Sequence, residues 1–203
     1  MSRGKSMQNI ELKEKRKEEI FEAAVHCFNK KGYAATTIEI IAAKAKISKG
    51  GLYHYFSSKK ELFLELFDYR VNKYFDLMKS YMNKDDSPEE RIRTLVEKAG
   101  QILKKNEDFY KFCLEFLSMG VRDPEIRKVM TAFYKDSVGT FRQLVEEGID
   151  NGRFMEVDSA KAGRAFYFLV MGVYFTYFSV DPDFDIIDQH NFHINNMLRS
   201  MKK

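Results

Sequence analysis

Lys49, Tyr53 and His54 fall within six residues around the pair Gly50-Gly51. Together they offer an ammonium donor, a phenol, an imidazole and a bare backbone. Lysine donates to guanine O6 and N7 or to phosphate, a tyrosine donates to phosphate or lies against a thymine methyl, and glycines let a backbone come close. That chemistry suits a DNA major groove better than a catalytic cleft. Lys49 and Tyr53 are the first candidates, with His54 and Thr37 next. A competing reading makes Tyr53 and His54 simple filling between helices. Catalytic alternatives lack support: no glycine-rich phosphate loop, nucleophile elbow or linked Ser/His/Asp set is present, and no cofactor is expected. His190 and His193 share a helix face at i, i+3, with no third ligand near in sequence, so no metal site is assigned.

These residues require two short helices to hold them. Thr36 with Glu39 has the spacing of a capping box, which starts a helix at about Thr37, and Ile38, Ile41, Ala42 and Ala45 give that helix one apolar face. Ser48 is the next helix-start residue. The second helix carries Leu52 and Phe56 inward and leaves Lys49, Gly50, Tyr53 and His54 outward. A preceding amphipathic helix, Leu12 to Lys31, buries Ile20, Ala23, Ala24, Cys27 and Phe28 and stops at Gly32. Residues 1–9, with Arg3 and Lys5, lack periodicity and read as a disordered arm able to touch phosphates.

Thr36-Thr37-Ile38, Ile41-Ala42, Ser48-Lys49-Gly50 and Leu52-Tyr53-His54-Tyr55-Phe56, continuing through Ser57-Ser58-Lys59-Lys60-Glu61-Leu62, resemble the TetR/AcrR repressor signature over roughly the first third of the chain. The resemblance implies a helix-turn-helix DNA-binding domain over residues 1–57. It implies a helical effector-binding and dimerisation domain over 58–203, with the helix from about 58 to 82 as connector. It implies contacts to a palindromic operator in double-stranded DNA from Thr36, Thr37, Ser48, Lys49, Gly50, Gly51, Tyr53, His54 and Lys59. Two positions depart from the pattern. Lys46 stands where the family usually has a turn glycine, and Gly51 where it more often has a small side chain.

Charge agrees with this division. The first 67 residues hold 13 Lys/Arg against 8 Asp/Glu, out of totals of 34 and 30, so the remaining residues hold 21 against 22. The two cysteines, Cys27 and Cys113, lie on apolar faces and read as reduced core residues, which implies a cytoplasmic setting. The most apolar run, Ala165 to Phe178, falls short of the roughly 20 residues of a membrane helix, so no membrane association is expected.

The later chain is all-α in pattern, giving about nine helices in total. Ser58 and Glu61, Ser87-Pro88-Glu89-Glu90, Asp123-Pro124 and Asp158 mark helix starts, and Phe184 to about Met201 forms the last helix. The chain carries 18 Phe, 11 Tyr and 10 Met. Phe109, Phe112, Cys113, Phe116, Met119, Phe133, Phe141, Met171 and Phe175 are expected on converging faces, where they suit an apolar or lipid-like effector, although plain core packing accounts for any one of them. Arg122, Arg127 and Lys128 are candidates for an acidic head group, although a solvated surface accounts for them equally well. The run around Phe166 to Phe178 is apolar nearly all round, so one face should meet a second subunit. Phe166, Val170, Tyr174, Phe178, Phe192 and Met197 are the residues expected in that homodimer interface. The function that follows is a DNA-binding regulator, and the resemblance implies a repressor released by a small hydrophobic effector of lipid-like or fatty acyl kind. The alternatives are a constitutive DNA-binding protein, or a helical carrier or enzyme that does not use its helix-turn-helix.

Overall fold

In the computed structural model the described residues are the backbone from Ser2 onward and the side chains from Glu11 onward. They form nine α-helices: α1 (Ser2–Ala35), α2 (Ile38–Lys44), α3 (Lys49–Tyr53), α4 (Lys59–Tyr81), α5 (Pro88–Lys105), α6 (Glu107–Gly120), α7 (Pro124–Asp150), α8 (Ser159–Ser179) and α9 (Ile186–Met201). The expected all-α class is therefore what the chain adopts. None of these helices is long and apolar enough to cross a membrane. The backbone of the arm expected over 1–9 is helical from Ser2, and no proline separates it from the rest of α1. The side chains of Arg3 and Lys5 lie outside the described residues. Gly32, at φ 75, breaks the helical run where the sequence places its end.

Packing divides the chain into two compact units that do not follow chain order: Met1–Arg70 with Asp108–Met119, and Val71–Glu107 with Gly120–Lys203. The sequence sets its boundary after residue 57 and gives α6 to the later domain. By packing, α6 belongs with the first unit.

In the first unit the core is largely aromatic. Phe28 meets Phe63 edge-on at 5.0 Å, Phe63 stacks on Phe116 at 4.9 Å, and Phe116 stacks on Phe67 at 4.0 Å. Phe112 closes the group against Phe63 at 4.9 Å. All five rings are buried, and pairs of this kind add about 0.5–1.5 kcal/mol each beyond the area they cover. Ile38, Ile41 and Ala42 of α2, Leu52 of α3, and Phe56 join the same interior. The α2–α3 turn passes through Lys46 at φ 55, the one non-glycine residue with positive φ among those described. The expected departure from glycine is thus a true left-handed position. Arg16 donates to the Lys46 carbonyl at 3.3 Å and helps hold it.

The second unit pairs α7 with α8, α5 with α7 and α9, and α8 with α9. Each of α5, α7, α8 and α9 begins at a capping side chain, and at α5 the full box is present: the Ser87 hydroxyl accepts from the Glu90 N–H at 3.2 Å and the Glu90 carboxylate accepts from the Ser87 N–H at 2.9 Å. Gly163 marks the close approach of α8 to α7. A Cβ there would lie 3.0 Å from both the Arg142 nitrogen and the Val138 oxygen.

Replacing Lys46 with glycine removes a left-handed cost of roughly 1–2 kcal/mol and adds about 0.5–1 kcal/mol of backbone entropy. Lys46→Gly is therefore expected to raise the thermal midpoint by roughly 2 °C. A lower midpoint by calorimetry would show that the turn carries no such cost.

Candidate nucleic-acid interface

Each tip of the helix-turn-helix is fixed by a cap. Thr37, in extended conformation, caps α2 and its hydroxyl accepts from the Ile40 N–H at 3.4 Å. The expected box on Thr36 is corrected by one residue. Thr36 is fully buried, and its hydroxyl donates to the carbonyls of Gly32 at 2.8 Å and Cys27 at 3.1 Å. It ties α2 to the end of α1 and is not available to DNA. Ser48 caps α3 by accepting from the Gly51 N–H at 3.0 Å. The helix itself ends at Tyr53, and the chain turns through His54 and Tyr55 before Phe56 enters the core.

The structure brings Thr37, Ser48, Lys49, Gly50, Tyr53 and His54 together as exposed residues, with Gly51 half-buried among them. Tyr53 is 45% exposed although it sits on an otherwise well-packed unit. His54 packs edge-on to Tyr55 at 5.7 Å, so its ring has a partner and still faces outward. Lys49 makes an unexpected pair: its ammonium is 2.6 Å from the Glu39 carboxylate and 5.9 Å from the Tyr53 ring centre. The hydrogen bond from Lys49 is the main reason the Glu39 carboxyl is held down at about 2, with backbone and Thr37 bonds adding to it. The depressed value means that the pair favours folding above the ordinary carboxyl range and loses that contribution as pH falls toward about 2.

Lys59 is engaged by the protein itself. Its ammonium donates to the carbonyls of Tyr33 at 2.7 Å and Thr36 at 2.8 Å and lies 4.2 Å from the Tyr33 ring centre. Burial pushes its pKa down. The residue is a clamp that satisfies carbonyls where α1 gives way to α2. Ser58 accepts from the Glu61 N–H at 3.0 Å as expected, but the Glu61 carboxylate returns the bond to Ser57. Other ties within the first unit join residues far apart in the chain. Lys17 pairs with Glu65 at 2.5 Å, Arg70 pairs with Glu22, and Glu115 accepts from the Tyr33 N–H. Partners 48 to 82 residues apart leave no local signal.

The residues expected to line an effector site divide between the two units. Phe109, Phe112, Cys113, Phe116 and Met119 belong to the first. Phe112 and Phe116 are core residues there, Phe109 stacks on Phe112 at 5.9 Å beneath the Arg70 guanidinium, and burial pushes the Cys113 thiol up. In the second unit Phe133 contacts Phe75 at 5.7 Å and Phe141 stacks on Phe166 at 5.3 Å. Phe75, Phe133, Phe141 and Met171 remain half-buried, while Phe175 is exposed. Burial raises the Tyr74 hydroxyl to about 12. Arg127 is spent on the carbonyls of Gly120 and Val121, at 3.1 and 2.5 Å, leaving Arg122 and Lys128 exposed.

The expected dimer residues need a larger correction. Phe166, Val170 and Tyr174 are buried within the protomer, Phe166 against Phe141 and Tyr174 against His190. Phe178 and Met197 are half-buried, and of that set only Phe192 is exposed. The open face of α8 is Ala165, Phe168, Gly172 and Phe175. It lies two residues, or about 200° of helical rotation, from the expected stripe. His190 is buried, with Nδ1 donating to the Ile186 carbonyl at 2.7 Å, and burial lowers its pKa. His193 Nε2 is 2.7 Å from the Gln189 amide nitrogen.

Comparison with known proteins places both parts of the chain. A family model for bacterial regulatory proteins of the tetR family matches residues 20–66, and a model for the C-terminal part of BetI-type transcriptional repressors matches residues 88–186. The HTH-type transcriptional regulator YfiR of Bacillus subtilis is 30% identical over 153 residues, covering 72% of each chain. YuxN of the same organism, also an HTH-type transcriptional regulator, is 38% identical over 112 residues, which is 55% of this chain and only 36% of YuxN. Among solved structures, the transcriptional regulator FadR from Bacillus subtilis in complex with stearoyl-CoA superposes with a TM-score of 0.80 at 20% identity, over 91% of this chain and 98% of that one. At that identity the likeness is one of fold.

Lys59→Ala is expected to lower stability by about 1–3 kcal/mol, because two carbonyls lose their donor. It should leave the salt dependence of duplex binding unchanged. A stable variant whose salt slope falls by roughly one would return Lys59 to the phosphate contacts.

Proposed function

The chain belongs to the TetR family of bacterial regulatory proteins and is a transcriptional regulator, and on that premise we propose that it is a repressor that binds a palindromic operator as a homodimer and leaves it when a hydrophobic acyl effector binds. The observation that carries the DNA half is the outward face of α3. Lys49, Tyr53 and His54 stay exposed while Leu52, and Phe56 just beyond the helix, are buried. A helix this short reads only a few base pairs, so specificity calls for two copies related by a two-fold axis. The open apolar stripe of α8, with Phe168 at 58% and Phe175 at 55% exposed, and Phe192 of α9 at 62%, supports dimerisation through this face. The dimer proposal accordingly moves from Phe166, Val170 and Tyr174 to these residues.

The half-buried Phe75, Phe133, Phe141 and Met171 leave apolar surface that the second unit does not cover with its own side chains. That surface, together with the stearoyl-CoA held by the structurally similar FadR, supports a long-chain acyl thioester as effector. Release follows if the effector binds more tightly to a conformation whose recognition helices are wrongly spaced, since equal affinity for both conformations shifts nothing. Effector and operator must then weaken each other by the same factor.

Lys49→Ala combined with Tyr53→Ala is expected to abolish binding to an operator duplex while the dimer and its thermal midpoint persist. Phe168→Arg with Phe175→Arg is expected to give a monomer in sedimentation. Long-chain acyl-CoA should weaken operator binding and acetyl-CoA should not. Operator binding that survives the first pair of substitutions removes the DNA-reading role of α3, and a long-chain acyl-CoA that binds without changing operator affinity removes the regulatory half.

A further inference from the structure

Glu39 is a carboxylate in the first turn of α2, on the same exposed surface as Lys49, Tyr53 and His54. A negative charge on a face that meets phosphates is unfavourable unless its oxygens accept hydrogen bonds there. Glu39 and Lys49 are each about half exposed, with side-chain exposures of 56% and 56%, and their charged atoms stand 2.6 Å apart. Cap bonds at Thr37 and Ser48 fix the helix ends from which the two side chains project. The Tyr53 ring, 5.9 Å from the ammonium, borders Lys49 on its own helix. Lys49 is therefore directed by its neighbours, whereas a phosphate contact needs only a swinging point charge.

In the major groove a G·C pair presents guanine O6, an acceptor, beside cytosine N4, a donor. The two atoms are joined by one of the pair's own hydrogen bonds and so stand about 2.9 Å apart. An ammonium and a carboxylate at ion-pair distance offer the complementary donor and acceptor at nearly the same spacing. We propose that Glu39 and Lys49 read one G·C pair in each half-site as a unit, Lys49 donating to guanine O6 and Glu39 accepting from cytosine N4. Glu39 is then a specificity-determining residue, outside the set that sequence assigns to DNA. The inference rests on the DNA-binding reading above. In that geometry the Glu39 oxygen that holds Lys49 also accepts from cytosine N4 through a further lone pair, with the Thr37 and backbone bonds to the carboxylate kept.

The test uses the full-length protein with Glu39→Ala and Glu39→Gln, each selecting from a pool of randomised duplexes at fixed salt, with the bound fraction sequenced. The wild type is expected to enrich a two-fold symmetric motif with an invariant G·C pair in each half-site. Glu39→Ala should relax the preference at that pair by roughly tenfold and leave the other positions unchanged. Glu39→Gln should relax it as well, with binding to non-specific duplex unchanged or stronger, because a negative charge is gone. A motif unchanged in both variants, or weakened evenly at every position, overturns the inference while leaving DNA binding intact. A wild type that enriches no motif overturns the DNA-binding reading, and this inference with it.

Discussion

A five-residue helix has almost no stability of its own, since nucleation consumes what few hydrogen bonds it makes. Everything that α3 presents outward is therefore fixed by what surrounds and underlies it. Leu52 and Phe56 anchor it from below, Phe21 lies 5.5 Å from Phe56, and α2 meets it across a turn that tolerates a left-handed lysine. The same unit contains the ring series Phe28, Phe63, Phe116, Phe67 and Phe112, so α1, α4 and α6 share one interior. Lys59 closes the join between α1 and α2 from the side. The exposed polar face and the buried aromatic one are two consequences of one packing arrangement.

The basic character of the first 67 residues is in part spent internally. Arg16 pairs with Glu19, Lys17 with Glu65 and Lys49 with Glu39, while Glu22 pairs with Arg70 just beyond that segment. Exposed pairs of this sort contribute little to stability, about 0–1 kcal/mol. They do orient long side chains. Each such pair removes one charge of either sign and so leaves the net excess of the segment unchanged, but it fixes the direction in which the lysine or arginine head it holds can point.

The parts of this arrangement that are local in sequence were legible there. Caps at Ser48, Ser87, Asp123 and Asp158, the stop at Gly32, and the outward set on α3 follow from spacing alone. What spacing leaves open is decided by periodicity and by distance along the chain. Thr36 and Thr37 are adjacent residues of one type, and only tertiary packing decides which is buried. An apolar helix such as α8 gives no contrast between faces, so the stripe of Phe166, Val170 and Tyr174 could not be told from that of Phe168 and Phe175. Lys59 has the ordinary look of a phosphate-binding lysine at a helix start, and its carbonyl partners lie 23 and 26 residues earlier. The membership of α6 in the first unit likewise depends on contacts with residues far behind it in the chain.

Two symmetry-related copies of the α3 face are proposed to read duplex DNA. Hydroxyl-radical footprinting of the full-length protein on a selected duplex tests it most directly. Two protected segments are expected, related by a two-fold axis and separated by one helical turn or a whole multiple of it, roughly 10 base pairs per turn, both lost together when Lys49 and Tyr53 are replaced by alanine. A single protected segment, or a pattern that persists in that double variant, would contradict it.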